Sequence, residues 1–112
     1  MADRKRLERI KLLTGTGRVY EGSQEIATVS YRVEVFQEKI ESQASGGTSI
    51  ANGPTTTQGE IKPAGAASIS VLFGKALTLV FKDGRKLDCE VANMDISMNM
   101  GTIIDTSGAG IH

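Results

Sequence analysis

Residues 77–91 read LTLVFKDGRKLDCEV, two runs of alternating apolar and polar residues on either side of a turn sequence. Such alternation is typical of β-strands with one buried face. Only a three-residue loop places the apolar residues of both strands on one face, because a one-residue slip turns one set toward solvent. The resulting pairs are Phe81 with Arg85, Leu79 with Leu87, and Leu77 with Cys89. The stretch therefore predicts an antiparallel hairpin with a type I turn and a bulge at a left-handed Gly84.

Residues 26–40 carry the same two-residue rhythm over a longer stretch. The alternating apolar side chains are those of Val29, Tyr31, Val33 and Val35. We predict a half-buried strand here, joined by a hairpin loop at 21–24 to a partner strand over 16–20. About 15 residues span about 50 Å at about 3.3 Å each, which is more than a small barrel needs. The outer end of this strand is expected to bend at a bulge or to pair across a subunit interface.

Two further stretches alternate in the C-terminal half. One contains Ile69, Val71 and Phe73, and the other contains Ile96, Met98, Met100 and Ile104. With these runs we expect about six strands in total. No segment between consecutive strands contains the helix that a parallel crossover needs. The expected fold is all-β: a single domain over 1–112, built as a small, mainly antiparallel barrel or two-layer sandwich.

Three segments fall outside this pattern. Apolar residues at three-residue spacing within 1–14 predict a short, basic N-terminal helix or arm. Residues 42–58 carry no charge and a single large apolar side chain, so we expect a long Gly/Ser/Thr-rich loop, either disordered or a functional flap. The Gly-rich residues 106–112 are expected to fray.

The charge of the chain is balanced overall but uneven along its length. Lys plus Arg number 13, as do Asp plus Glu, so the formal net charge is zero. This balance argues against a protein whose whole surface binds nucleic acid or another polyanion. Residues 1–13 are nevertheless mainly basic, while acidic side chains predominate over 21–41. We expect these two segments to pair, within one chain or between chains.

Reactive side chains are few in this sequence. His112, the last residue, is the one histidine, and Cys89 is the one cysteine, on the predicted inner face. A Ser-His-Asp or Cys-His arrangement needs a histidine held rigidly beside its nucleophile, and a transition-metal site needs more histidine or cysteine ligands. We therefore expect a non-catalytic domain without a metal or other cofactor.

The first functional hypothesis is a binding or assembly module that self-associates. Ile96, Met98 and Met100 lie on one predicted apolar face, and methionine-rich surfaces adapt to partners. This face either completes the core or forms an edge that another copy covers, because an uncovered apolar edge strand would aggregate. The expected partner is a second copy of the chain in a homo-oligomer.

The alternative hypothesis is a β-barrel that binds a small ligand or a nucleotide phosphate. Its candidate residues are Arg4, Lys5, Arg6 and Arg9, with Asp95 and Ser97 as further polar contacts. Cationic side chains neutralise phosphates. Binding of single-stranded nucleic acid has less support, because it also needs exposed aromatic side chains on which bases can stack.

Asp95-Ile96-Ser97, after the predicted strand, resembles part of a motif of PilZ domains. These are small β-barrels that bind cyclic-di-GMP through Asp/Asn-x-Ser-x-x-Gly and an Arg-x-x-x-Arg segment. Lys5 and Arg9 show the four-residue step of that segment. Gly101 does not keep the spacing of the first motif, and the two motifs lie much farther apart than in the family. The resemblance implies a nucleotide ligand at these residues, but the departures leave the chain unassigned.

Targeting signals are not evident in the sequence. The N-terminus is charged from residue 3 and lacks the apolar run of a secretory signal. The longest apolar stretches fall far short of the roughly 20 residues of a membrane-spanning helix. Together with the lone thiol, these features predict a cytoplasmic protein that does not interact with a membrane.

Overall fold

The computed structural model describes residues 4–44 and 46–112, and its main feature is one antiparallel sheet of six strands. The strands are β1 (Arg4–Glu21), β2 (Gln24–Ala44), β3 (Gly47–Pro63), β4 (Leu77–Val80), β5 (Lys86–Asp95) and β6 (Met100–Asp105). A 3-10 turn spans Ile69–Val71. The all-β, antiparallel prediction is confirmed. Within the described ranges, no helix has the length and apolar character required to cross a membrane.

The sheet closes on itself as a ring in the order β1-β2-β3-β6-β5-β4. Closure comes from a short antiparallel pairing between β1 and β4, in which Arg18 faces Val80 and Tyr20 faces Thr78. Alternate side chains from all six strands point into this ring and form one core. Val29, Val33, Leu79, Leu87 and Ile103 are fully buried there. The apolar side chains that recur at every second position in the sequence thus form the inner face of the ring.

The predicted hairpin between β4 and β5 is confirmed in its register. Leu79 lies opposite Leu87, and Leu77 lies opposite Cys89. The loop closes through two hydrogen bonds: Phe81 donates its N–H to the Arg85 carbonyl at 2.8 Å, and Gly84 donates to the Phe81 carbonyl at 2.9 Å. Gly84 has a φ of 90°. Residues with a side chain rarely adopt this backbone conformation, whereas glycine does so without strain.

Three strands extend well beyond the ring. We call this extension the arm and define it as residues 4–12 of β1, 34–44 of β2 and 47–56 of β3. Burial changes abruptly at its base: in β3 every second residue is buried from Thr57 onward and none before it. About ten residues per strand give a length of about 33 Å, in keeping with overall dimensions of 60 × 29 × 21 Å.

The helical alternative for residues 1–14 is wrong where the structure describes them, from Arg4 onward. This segment is the arm part of β1 and pairs with β2 along its length, with Leu7 opposite Glu38. The helix-like spacing of the apolar residues is interrupted by a bulge at Ile10, since the register passes from Arg9 to Lys11. So short a helix is marginal alone, whereas β2 supplies a backbone partner for this segment.

The flexible loop expected over 42–58 is replaced by the end of β2 and most of β3, and residue 45 of this stretch lies outside the described residues. A core cannot be built from this uncharged stretch, but a strand does not need one when a neighbour satisfies its backbone. Its threonines favour extended structure, and β2 pairs with it from Thr48 opposite Gln43 to Gln58 opposite Glu34. The loop prediction was wrong because it rested on the low apolar content of this stretch, which says nothing about backbone pairing with a neighbouring strand.

Two alternating runs turn out not to be single strands. In the first, Ile69 and Leu72 are buried at the three-residue spacing of a 3-10 turn, while Val71 and Phe73 are exposed. In the second, residues 96–99 form the tight turn between β5 and β6. The inward positions of β6 are those of Gly101 and Ile103, so Met100 and Ile104 lie on the outer face.

The C-terminal residues 106–112, expected to fray, are attached to the ring. The Asp105 carboxylate accepts hydrogen bonds from the backbone N–H groups of Ser107, Gly108 and Gly110 at 2.9 to 3.2 Å. Lys86 and His112 exchange two backbone hydrogen bonds, at 2.7 and 2.8 Å. Three of these hydrogen bonds therefore join residues 107–110 to the end of β6, and two hold His112 against β5.

Candidate functional site

The arm presents two unpaired strand edges. On one side is the β1 edge, residues 4–12, because β4 pairs with β1 only at Arg18–Tyr20. On the other side is the β3 edge, residues 47–56, because β6 pairs with β3 only at Gln58–Ile61. Both statements concern the described residues of this chain. The outward N–H and C=O groups of such edges are open to pairing with another strand.

Large apolar side chains are exposed on the arm. The exposed fraction is 62% for Leu7, 51% for Ile10, 43% for Leu12 and 59% for Ile50. Three of the four belong to the β1 edge, and the fourth lies in the β3 edge. Single exposed apolar residues are common on protein surfaces, but this clustering along unpaired edges is typical of surfaces that bind other proteins.

The arm is also polarised in charge across its three strands. Basic side chains are concentrated on β1 and acidic ones on β2, while the β3 edge carries no charge. Two ion pairs join the first two strands: Arg9 Nη1 lies 3.3 Å from Glu34 Oε2, and Lys5 Nζ lies 4.0 Å from Glu38 Oε1. The predicted pairing of the basic start with the acidic middle therefore occurs within the chain.

The candidate ligand residues do not come together. Arg4, Lys5, Arg6 and Arg9 lie on the arm, whereas Asp95 and Ser97 lie at the opposite end of the ring, in the turn between β5 and β6. In that turn, Asp95 Oδ1 accepts from Ser97 Oγ at 2.6 Å and from the Met98 N–H at 3.2 Å. The hydrogen bond from Ser97, followed by the one from Met98, lowers the pKa of the Asp95 carboxyl. These contacts give Asp95 and Ser97 a role in closing the turn.

The candidate interface residues lie at this same turn. Ile96 and Met98 are exposed, and Met100 is half-buried on the outer face of β6. They are separated from the arm by the whole depth of the ring. The apolar surface on the arm was not predicted, because the apolar residues of 1–14 fit a short helix as well as an arm, and residues 42–58 lack the apolar alternation of a strand. The β-branched threonines of that stretch were the signal that pointed to an edge strand.

His112 and Cys89 lie on different sides of β5. The His112 Nε2 atom is 4.0 Å from Asp88 Oδ2 on the outer face. Cys89 is the next residue in the strand, so its side chain points the opposite way, into the core. The described residues contain no group of three His, Cys, Asp or Glu side chains placed to hold a metal ion.

The Cys89 thiol is expected to be inert in the folded protein. Burial raises its pKa from 9.0 to about 12, and the thiolate is the reactive form. Mixing with a thiol-reactive disulfide at pH 8 should give no fast reaction, and one equivalent should react after unfolding in urea. Because the folded pKa is raised, stability should also fall as pH rises from 9 toward 12. Fast labelling of the folded protein would contradict the prediction of an inert thiol. Cys89→Ser, which has no thiol, is the control for background reaction.

The geometry thus distinguishes one surface, the arm, by its unpaired edges, its exposed apolar side chains and its charge pattern. Comparison of the chain with protein-family models, with curated proteins and with solved structures gives no match.

Proposed function

We propose that this protein is a non-catalytic β module that assembles with copies of itself through the arm. The single observation that carries the proposal is the projection of two unpaired edges, with Leu7, Ile10, Leu12 and Ile50 exposed, about 33 Å beyond the core. The β1 part of the arm is exposed at every position from Arg4 to Leu12. In one isolated chain the arm is held by its pairing with β2 and by two ion pairs, and none of the described core residues lies in it.

The energetics of the arm favour a partner. A sheet of three strands is stable in water when one face packs on something apolar, and both faces of the arm meet solvent over most of its length. Burial of apolar surface is worth about 25 cal/mol per Å². A neighbouring copy would cover the exposed side chains and satisfy the free backbone groups at the same time. Self-association therefore stabilises the arm as well as the assembly.

Self-association can be tested with the full chain in a dilution series. We expect sedimentation velocity or light scattering to give a mass several times that of one chain at high concentration and a smaller mass on dilution. A matched variant, Leu7→Ser, should shift the transition to higher concentration, whereas Val71→Ser, at an exposed apolar position outside the arm, should not. A strict monomer at every concentration would overturn the proposal.

The alternative function is binding of a small ligand or nucleotide phosphate by the basic residues of β1. The observation in its favour is the row of exposed basic side chains between Arg4 and Lys11. Against it, Arg9 and Lys5 already face acids of β2. A thermal-shift series with nucleotides and oligonucleotides at low salt tests this function. An increase in melting temperature that is lost in Arg4→Gln/Arg6→Gln would support it, and no shift with any compound would end it.

A further inference from the structure

We infer that the copies join head to tail, with the β1 edge of one chain pairing with the β3 edge of the next. This inference rests on the proposed self-association and specifies its geometry. The two edges are nearly equal in length, since they cover 4–12 and 47–56. Joined in this way, the arms of successive copies form one continuous sheet, in which each chain uses both of its edges.

Pairing of two β1 edges is opposed by charge. Each β1 edge carries five basic side chains, Arg4, Lys5, Arg6, Arg9 and Lys11, against the single acid Glu8. Two such strands side by side would lie about 4.8 Å apart, well inside the screening length of about 8 Å at physiological salt. Like charges directly opposite each other destabilise a strand pair. Lys and Arg on an edge are in fact a common device against self-pairing.

Pairing of two β3 edges is not opposed by charge, but it leaves much of the arm uncovered. The resulting dimer would use an uncharged edge on each side and would cover Ile50. Leu7, Ile10 and Leu12, which belong to β1, would remain exposed on its outer flanks. Both β1 edges would also keep their free backbone groups. This arrangement would therefore cover only one of the two unpaired edges of each chain, and only Ile50 among the four exposed apolar side chains of the arm.

Pairing of β1 with β3 covers both edges and is favoured by charge. The basic strand then lies against an uncharged one, and the acidic β2 of the neighbour follows at about 10 Å, two strand spacings away. Opposite charges at this distance are partly screened and still attract. Three glutamates in the arm part of β2 contribute, Glu34, Glu38 and Glu41. The repeating order of basic, acidic and neutral strands avoids any contact between strands of like charge.

Strand direction determines the kind of assembly. β1 and β3 are both antiparallel to β2, so they run in the same direction, and neighbours in one orientation pair in parallel. Such a contact joins two different surfaces of the chain. It therefore repeats from copy to copy, either closing as a ring or continuing as a filament, whereas a two-fold contact would stop at a dimer. We expect more than two copies in the assembly.

The inference is tested with two variants of the full chain, each blocked at one edge. Ile50→Lys places a cation in the β3 edge, where it would face the basic β1 of a neighbour. Leu7→Ser/Ile10→Pro removes apolar surface and one N–H from the β1 edge. Ile10 is the extra residue of a bulge, a position at which proline is tolerated within a sheet. Ile50→Glu and Ile10→Thr are the matched controls.

Head-to-tail pairing predicts that each blocked variant alone is a monomer at concentrations at which the wild type assembles, and that a mixture of the two then forms a one-to-one heterodimer and nothing larger. Ile50→Glu should still assemble, and Ile50→Lys should raise the half-assembly concentration about tenfold or more, because only the lysine meets like charges. Circular dichroism and thermal melting should show all variants folded. Should the proline variant lose sheet signal, Leu7→Asp/Ile10→Asp replaces it.

Other outcomes overturn the inference in distinguishable ways. If the β1-blocked variant still forms a dimer while the β3-blocked variant is monomeric, two β3 edges pair. The reverse result would mean that two β1 edges pair. Persistence of the full assembly in both variants would exclude the edges altogether. In these three cases self-association survives and the head-to-tail geometry fails, whereas a wild-type protein that is monomeric at all concentrations removes the proposed function itself.

Discussion

Replacement of Gly59 by alanine is expected to destabilise the protein by about 3 kcal/mol. Gly59 is buried in β3, where it lies opposite Val33 of β2 on one side and Ile103 of β6 on the other. A Cβ at this position would overlap the Arg32 carbonyl oxygen and would lie 2.9 Å from the Val33 Cα atom. These neighbours are backbone atoms, and both flanking strands are paired, so neither can move away.

Urea unfolding followed by circular dichroism measures this loss as a lower midpoint with an unchanged slope. Gly46→Ala is the matched control, because a Cβ there would meet none of the described atoms within 4 Å. We expect its stability to lie within about 0.5 kcal/mol of the wild type. A Gly59→Ala protein as stable as this control would contradict the packing of β2 against β3.

Replacement of Asn99 by alanine is expected to cost about 3 kcal/mol of unfolding free energy. Asn99 links the β5–β6 turn to the 3-10 turn: its Oδ1 accepts from the Ile69 N–H at 2.8 Å, and its Nδ2 donates to the Ala67 carbonyl at 2.9 Å. Its φ is 53°, in the left-handed region that asparagine tolerates better than alanine. The loss combines two hydrogen bonds with backbone strain, next to the fully buried Ile69.

Asn99→Gly separates these two contributions. Glycine adopts a positive φ without strain but makes neither side-chain hydrogen bond, so this variant should lose less stability than the alanine variant. Thermal or urea unfolding of the three proteins gives the comparison. Equal stability of wild type and Asn99→Ala would mean that the 3-10 turn is held by the burial of Ile69 and Leu72 alone.

The residues of the ring were largely predictable from the sequence. In the hairpin around Gly84, apolar residues alternate on both sides of a short turn, and only one register buries both sets. Strands 16–20 and 26–40 followed from the same rule. The rule failed at Val71 and Phe73, which are exposed, because alternation over a few residues does not distinguish a strand from a 3-10 turn. It also failed at Ile96 and Met98, where a turn interrupts the run.

The candidate site was less predictable than the core. Arg4, Lys5, Arg6 and Arg9 were recognised as a basic segment, and the sequence allowed either a helix or an arm. The sequence predicted Asp95 and Ser97 as polar contacts to a ligand, whereas in the structure their hydrogen bonds close a turn. The edges of the arm could not be located at all, because an unpaired edge is defined by which strands lie beside it.

By itself, the sequence determined the all-β class, the inward face of the ring and the hairpin register, since side chains at alternate positions either reach the core or meet water. Only the tertiary structure decided that residues 4–12 and 47–56 are strands. Neither segment shows the two-residue apolar alternation of a half-buried strand, and the conformation of both depends on backbone pairing with β2. The projecting arm therefore arises from pairing between consecutive strands, which the apolar pattern of each segment alone does not reveal.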